Sequence, residues 1–261
     1  MLYPKSVTLY LIGLGLWDEK DITIRGLETV KKCQTVFLET YTSKLSCSRE
    51  TLEKLYGKKI LEADRNLVEK ESNKILEPAK TSNVALLVIG DAFSATTHAS
   101  LLLDAKKMGV RAKTISNASV LTAVGIVGLE LYKYGPVTSL PYHEPGYESK
   151  TAYEVLAKNQ EQGWHTLILL DIKSEQKRYM TVNEAIEILL KIEEKEKKGI
   201  FRTTTTVVGC ARLGSSTPVI QYGEAGQLMK EEFGEPLHCL IVPGKLHFVE
   251  EEMLQEWRIK S

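Results

Sequence analysis

The stretch Val7-Thr-Leu-Tyr-Leu-Ile-Gly-Leu-Gly-Leu-Trp17 decides the fold that the sequence predicts. Its apolar run is too short for a buried helix but long enough for a buried parallel strand. Gly13 and Gly15 then allow the backbone to turn and allow another group to approach it closely. Because a first strand that ends in glycines is a common place for nucleotide-like ligands, the stretch predicts an α/β fold with a ligand site at this turn.

One candidate ligand is a dinucleotide, whose fingerprint is G-x-G-x-x-G running directly into a helix. Gly13 and Gly15 fit that pattern, but Asp18 occupies the third glycine position and helical periodicity begins only near Ile24. In favour of a dinucleotide, Thr35–Glu39 reads as a second strand that ends in an acid. A tight turn without any ligand is the other interpretation of this stretch.

The composition is that of a soluble globular protein of 261 residues, with 34 basic and 34 acidic side chains. A net charge near zero argues against a protein that coats nucleic acid. The longest uncharged run, Thr114–Leu129, is too short to span a membrane. The four cysteines show neither C-x-x-C pairing nor metal-ligand spacing, so we expect reduced thiols, no metal site and a cytoplasmic location.

Strand and helix patterns alternate through the first half of the chain. Val84–Ile89 is the clearest buried strand, and the pattern predicts a helix over Ala95–Met108 after it. Such alternation predicts a parallel sheet with crossover helices. An apolar segment, Ser119–Leu129, reads as a helix whose glycines pack closely on a neighbour. We therefore predict two directly packed α/β domains, residues 1–116 and residues 117–261.

Polar side chains gather where the predicted strands end, most densely in Gly90-Asp-Ala-Phe-Ser-Ala-Thr-Thr-His98. Asp91 could accept hydrogen bonds from ribose hydroxyls or from a ligand ammonium. The hydroxyls that follow would mark a helix start that favours an anionic group, or would simply cap that helix. His98 is either a proton acceptor or a structural histidine. No pattern here indicates a nucleophile elbow or a Walker A loop.

Taken together, the short motifs resemble the archaeal type of the diphthine synthase family, which belongs to the tetrapyrrole-methylase-like methyltransferases that use S-adenosylmethionine. The matching motifs keep their order and spacing over nearly the whole chain. They are Leu11-Ile-Gly-Leu-Gly-Leu16, Asp21-Ile-Thr23, Glu39-Thr-Tyr-Thr-Ser43, Gly90-Asp91, Ala95-Thr-Thr-His-Ala99, Asn117-Ala-Ser119, Leu170-Asp-Ile-Lys173, Tyr179-Met-Thr181, Ala211-Arg212 and Ile241-Val-Pro-Gly-Lys-Leu-His247.

The resemblance implies two α/β domains with the cofactor in the cleft between them, and a homodimer. It implies that S-adenosylmethionine donates three methyl groups to the amino group of a modified histidine, 2-(3-amino-3-carboxypropyl)histidine, on translation elongation factor 2, giving diphthine. It assigns no catalytic residue. The cofactor contacts that it implies are Leu16, Asp91, Ser94, Ser119, Val120, Leu170, Ala211 and His238.

The sequence departs from the family pattern at the strand end, where Ala92 replaces a frequent proline and Ser94 replaces an apolar residue. We expect basic and aromatic side chains on the loops Tyr142–Ser149 and Ile172–Met180 to recognise the protein substrate.

Two further functions remain open besides the dinucleotide enzyme. One is a corrin or siroheme-precursor methylase, whose first turn reads Gly-Pro-Gly-Asp, and the other is a binding module without turnover.

Overall fold

The computed structural model describes residues 7–259. They divide into two compact units, and the division falls between Leu121 and Thr122. The boundary predicted from the sequence lies a few residues earlier. Asn117 belongs with the first unit because its backbone and side chain hydrogen-bond to Asp91, Gly13 and Asp21. A short helix, α6 (Val120–Ala123), spans the boundary in sequence.

The first unit is built on a parallel sheet with the strand order β3-β2-β4-β1-β5. Its strands are β1 (Leu9–Gly13), β2 (Thr35–Glu39), β3 (Leu61–Ala63), β4 (Val84–Val88) and β5 (Ala112–Ile115). Its helices are α1 (Ile24–Lys32), α2 (Arg49–Tyr56), α3 (Arg65–Glu69), α4 (Asn73–Leu76) and α5 (Ala99–Lys107). The predicted parallel sheet with crossover helices is confirmed.

The sheet of the first unit is covered on both faces, as the apolar pattern of β4 predicts. Val84, Leu86 and Val88 point into one apolar cluster, and Ala85 and Leu87 point into the other. All five side chains are fully buried. The central strands are therefore fixed rigidly, and the loops that follow them start from defined positions.

The second unit contains a mixed sheet with the strand order β11-β10-β12-β7-β6, in which only β6 and β7 run parallel. Its strands are β6 (Thr138–Leu140), β7 (Thr166–Leu170), β10 (Thr206–Ala211), β11 (Val219–Glu224) and β12 (His238–Val242). The segments β8 (Ile172–Lys173) and β9 (Arg178–Tyr179) form a separate hairpin. The helices are α7 (Thr151–Glu161), α8 (Val182–Glu196), α9 (Ala225–Leu228) and α10 (Phe248–Glu256).

Helix α8 packs on this sheet through one apolar stripe that includes Val182, Ala185, Ile186 and Leu189, the spacing of a buried helix face. A capping box formed by Thr181 and Glu184 begins the helix. The Glu184 amide donates to Thr181 Oγ1 at 3.2 Å, and the Glu184 carboxylate accepts from the Thr181 amide at 2.9 Å.

The long helix predicted over Ser119–Leu129 is wrong. After α6 the chain continues as a 3-10 helix, Val124–Val127, and ends at Gly128 with a φ of +92°. Gly128 does support close packing, because a Cβ there would lie 2.4 Å from Met253 Cβ. Gly125 does not, because its nearest neighbour, Leu131, would lie at an ordinary contact distance of 3.5 Å.

Candidate functional site

The candidate site lies at the carboxyl edge of the parallel sheet, between β1 and β4. From β1 the chain crosses to β2 on one side of this pair, and from β4 it crosses to β5 on the other side. Open α/β sheets bind their ligands in the crevice at such a switch point. Just beyond the two strands, Gly15 N donates to Gly90 O at 3.2 Å and Gly90 N donates to Gly15 O at 2.7 Å.

The chain itself occupies the space beside the first two glycines. A Cβ on Gly13 would lie 2.7 Å from Gly90 O and 2.8 Å from Asn117 Cβ, and one on Gly15 would lie 2.4 Å from Asp21 Cβ. The group that approaches these glycines closely is therefore a neighbouring loop, not an external ligand. Gly90 differs, because a Cβ there would meet only Ala118 O, at 3.9 Å. The open space at this edge is on the Gly90 side.

The Asp91 carboxylate joins two loops. One oxygen accepts from Phe93 N at 3.0 Å and from Ser94 Oγ at 3.4 Å, and the other accepts from Asn117 N at 3.1 Å. These bonds stabilise the turn after β4 and attach it to the segment after β5. They also restrain the loop at Ala92, where the sequence lacks proline.

The helix predicted from Ala95 begins only at Ala99, because Ala95 adopts a left-handed φ of +58°. Two side chains return to the Ala92 carbonyl, Thr96 Oγ1 at 2.6 Å and His98 Nδ1 at 3.0 Å. The hydroxyls thus organise a loop and do not line a helix start. His98 is only 1% exposed, which favours its structural role over that of a proton acceptor.

The other predicted contacts of the first unit lie on the same sheet edge. Leu16 follows β1, and its amide donates to Asp21 Oδ2 at 3.0 Å. Ser119 follows β5, and its buried hydroxyl accepts from Leu121 N at 3.1 Å. Val120, half-buried, begins α6. The structure therefore places Leu16, Asp91, Ser94 and Ser119 on three adjacent loops, with Val120 at the start of the helix that follows the third loop.

The three predicted contacts in the second unit lie on one end of its own sheet. Ala211 pairs with His238, and the next residue of β12 pairs with Leu169, beside Leu170. Both His238 ring nitrogens are used within the chain: Nε2 donates to the carbonyls of residues 234 and 235, and Nδ1 accepts from Val182 N at 3.4 Å. Burial lowers the pKa of His238, so the imidazole is neutral at pH 7.

The basic side chains expected to recognise a substrate are partly engaged within the second unit. Lys173 forms an ion pair with Glu144, and the Arg178 guanidinium lies 3.7 Å from the centroid of the Tyr142 ring. Arg178 also lies 3.6 Å from the Glu184 carboxylate. Lys177 lies at the turn of the hairpin and is exposed.

A buried polar cluster, which the sequence did not reveal, lies at the opposite end of the second sheet. Glu250 and His165 are both fully buried, and His165 Nε2 donates to Glu250 Oε1 at 2.9 Å. Lys133 forms an ion pair with the other carboxylate oxygen, and the amides of Glu130 and His247 donate to the same carboxylate at 2.9 and 2.8 Å. We call these side chains, Lys133, His165 and Glu250, the Glu250 cluster.

The charges at the first sheet edge suit a cationic ligand. The loops Gly13–Trp17, Ile89–Ala95 and Asn117–Ser119 contain Asp91 and no lysine or arginine. Helix α1 begins at Ile24, well past the glycines, so no helix N-terminus lies where a pyrophosphate would need it.

Over residues 7–259, no group of three or more His, Cys, Asp and Glu side chains is placed to hold a metal ion. Within the same range, no helix is long and apolar enough to cross a membrane.

Comparison with known proteins agrees with the fold and the motifs. Residues 8–228 match the family described as Tetrapyrrole (Corrin/Porphyrin) Methylases. The chain is 46% identical to the "probable diphthine methyl ester synthase" of Arabidopsis thaliana, with 97% of this chain and 99% of that protein covered. It is 44% identical to the diphthine synthase of Methanocaldococcus jannaschii, with 95% and 97% covered. A crystal structure of diphthine synthase superposes with a TM-score of 0.89 at 38% identity, covering 96% of each chain.

Proposed function

The chain belongs to the tetrapyrrole methylase family, and we propose that within this family it is the S-adenosylmethionine-dependent methyltransferase of diphthamide biosynthesis that modifies elongation factor 2. The observation that carries the proposal is the near full-length identity of more than 40% to proteins named for diphthine synthesis. A corrin or siroheme methylase of the same family is the alternative, and the Gly-Leu-Gly-Leu first turn argues against it.

When bound, the cofactor supplies an electrophilic methyl group on a positively charged sulfur. The first sheet edge suits that charge, because its loops offer Asp91 and main-chain carbonyls and place no cation among them. The space beside Gly90 would admit the ligand, with Leu16, Ser94, Ser119 and Val120 as further contacts. Leu170, Ala211 and His238 remain predicted contacts, and His238 would contribute through its backbone or ring face, since both its nitrogens are engaged.

The acceptor in this proposal is the amino group of the modified histidine, which must be neutral to attack a methyl group. The main work of such an enzyme is alignment of donor and acceptor, and good alignment lowers a barrier by roughly 7–11 kcal/mol. We propose that three methyl groups are added to the nitrogen. The name of the plant relative includes a methyl ester, so the number and position of the added groups need a direct test.

We expect S-adenosylhomocysteine, the demethylated cofactor, to raise the melting temperature, because a ligand that binds only the folded state stabilises it. Turnover is then tested with labelled S-adenosylmethionine and elongation factor 2 that carries the modified histidine. Mass spectrometry of the product should show three added methyl groups on nitrogen, whereas a fourth on the carboxylate would identify a methyl ester. A melting shift with NAD and none with S-adenosylhomocysteine would exclude the proposed function.

We also propose that the enzyme is a cytoplasmic homodimer that associates through an apolar patch of the second unit. Large apolar side chains that are 37–82% exposed lie on α10 and on the segment 126–132, which packs against it. Exposed apolar patches of this kind are typical of protein interfaces. They are Ile126, Leu131, Tyr132, Phe248, Val249 and Met253. The Gly128–Met253 contact and the bond from Glu130 N to Glu250 join the segment to the helix.

All four cysteines are free, which suits a reducing compartment.

The double substitution Phe248→Glu and Val249→Glu should convert the dimer to a monomer, because it places two charges in an interface that would otherwise exclude water. Light scattering at micromolar concentration measures the mass. Leu103→Glu, at an exposed apolar position of the first unit, is the matched control and should leave the dimer intact. A monomeric mass for the unmodified protein, or a dimeric mass for the double variant, would contradict this assignment.

A further inference from the structure

We infer that Asn117 is the positioning residue of the cofactor site, holding in register the three loops that carry the proposed contacts of the first unit. The inference rests on the proposed function, since it assumes that the cofactor binds at the carboxyl edge of the parallel sheet. Asn117 itself is not required to touch the ligand. Its importance comes from the number of different segments that it joins.

The side chain and the backbone N–H of Asn117 together form hydrogen bonds with all three loops. Its side-chain nitrogen donates to Gly13 O and to Asp21 O, both at 3.0 Å, and thereby connects the two ends of the loop after β1. Its backbone N–H donates to Asp91 Oδ2 at 3.1 Å, which connects it to the loop after β4. Its side-chain oxygen accepts from Ala118 N at 2.7 Å and fixes the loop after β5.

Asp21 extends the same connections to the first proposed contact. Its carboxylate accepts from Leu16 N at 3.0 Å and from Trp17 N at 2.7 Å, while its carbonyl accepts from Asn117. The position of Leu16 therefore depends on Asp21, and the position of Asp21 depends on the Asn117 amide. Ser119 follows Asn117 by two residues on the third loop, so its position depends on the same side chain.

Asparagine is the residue type that these contacts require. The side-chain nitrogen must supply two N–H donors, which aspartate lacks. Aspartate would also bring a second negative charge close to Asp91, whose carboxylate accepts from the backbone of this residue. Glutamine has one more methylene, which would move its amide away from the position that reaches Gly13 O and Asp21 O.

The experiment compares Asn117→Ala and Asn117→Asp with the matched control Asn159→Ala. Asn159 in the second unit is buried and likewise donates two side-chain bonds, to Pro136 O and Thr166 Oγ1, both at 3.1 Å. Calorimetry gives the dissociation constant for S-adenosylhomocysteine, and thermal melting gives stability. Loss of the two Asn117 bonds should weaken binding by about tenfold or more. The control should lose stability to a similar degree with binding changed less than about twofold.

The outcomes separate the inference from the proposed function. If the unmodified protein does not bind S-adenosylhomocysteine, the proposed function fails. If the unmodified protein binds and both Asn117 variants bind within about twofold of it, the positioning role is wrong. An Asn117→Ala protein that is unfolded at room temperature would also overturn the inference, because a residue that only positions loops should leave the sheet intact.

Discussion

Replacement of Glu250 by glutamine is expected to lower the free energy of unfolding by about 3 kcal/mol or more. Glutamine keeps the shape of the side chain, but its amide nitrogen would face the Lys133 ammonium and the His247 amide, which are both donors. The substitution therefore leaves the partly buried Lys133 ammonium without a carboxylate partner. This destabilises the fold more than the loss of an exposed ion pair would. Urea denaturation at pH 7 measures the loss. Glu252→Gln, at an exposed position of the same helix, should change stability little.

The pH dependence of the free energy of unfolding gives a second measurement of how much the Glu250 cluster stabilises the fold. Burial opposes ionisation of Glu250, but hydrogen bonds from Lys133, Glu130 and His247 outweigh it and lower the pKa to about 2. Since the folded pKa is below the unfolded value, the carboxylate stabilises the protein above about pH 4.5 and loses that contribution, about 3 kcal/mol, as the pH falls toward 2. Burial also lowers the pKa of His165, so stability begins to fall below about pH 6.5.

In Glu250→Gln, the loss of stability between about pH 4.5 and 2 should be smaller than in the unmodified protein, because the group that titrates there is absent. Parallel curves for the two proteins over that interval would show that Glu250 does not titrate as proposed. Equal stability of the two proteins at pH 7 would show that the carboxylate contributes nothing to the fold.

Replacement of Gly15 by alanine should destabilise the first unit and abolish cofactor binding. Gly15 has a φ of +84°, so any side chain there costs roughly 1–2 kcal/mol. In addition, the new Cβ would lie 2.4 Å from Asp21 Cβ, and such overpacking adds about 1–3 kcal/mol. The displacement of Asp21 would in turn release the Leu16 and Trp17 amides. Calorimetry with S-adenosylhomocysteine and denaturant unfolding measure the two effects.

Gly57→Ala is the matched control for this substitution. Gly57 also has a positive φ, +64°, but a Cβ there would meet no atom within 4 Å. The control therefore reports the backbone cost alone, and the difference between the two variants reports the packing against Asp21. If Gly15→Ala loses no more stability than Gly57→Ala and still binds the ligand, the close contact with Asp21 is unimportant.

The strands of the first unit could be predicted from the sequence because each strand pattern is contained within a short segment of the chain. Val84–Ile89 reads as a buried strand from composition alone, and the sheet then follows from the alternation of strands and helices. The predicted cofactor contacts of the first unit lie on adjacent loops for the same reason, since parallel strands end at one edge of a sheet. Direct contact of these residues with the ligand remains a prediction.

The features that the sequence did not reveal depend on partners far apart in the chain. Glu250 reads as an ordinary surface acid of a charged helix until Lys133 and His165 are brought to it. The space beside Gly15 reads as a ligand space until Asp21 is seen to fill it. Helix α5 begins later than its composition suggests, because Ala95 takes a left-handed conformation within a loop held by Ala92 O. Local propensity contains no information about such contacts.

The strand order of the second unit has a consequence for the nascent chain. Strand β12 lies between β10 and β7, although it is the last strand to leave the ribosome within the described chain. The first sheet, by contrast, has all its strands once Ile115 has emerged. During synthesis, one unit can therefore be folded while the other still exposes the apolar edge of β7, Leu167–Leu170. An unpaired strand edge is a template for aggregation, so the second unit is exposed to that risk until residues 238–242 have emerged.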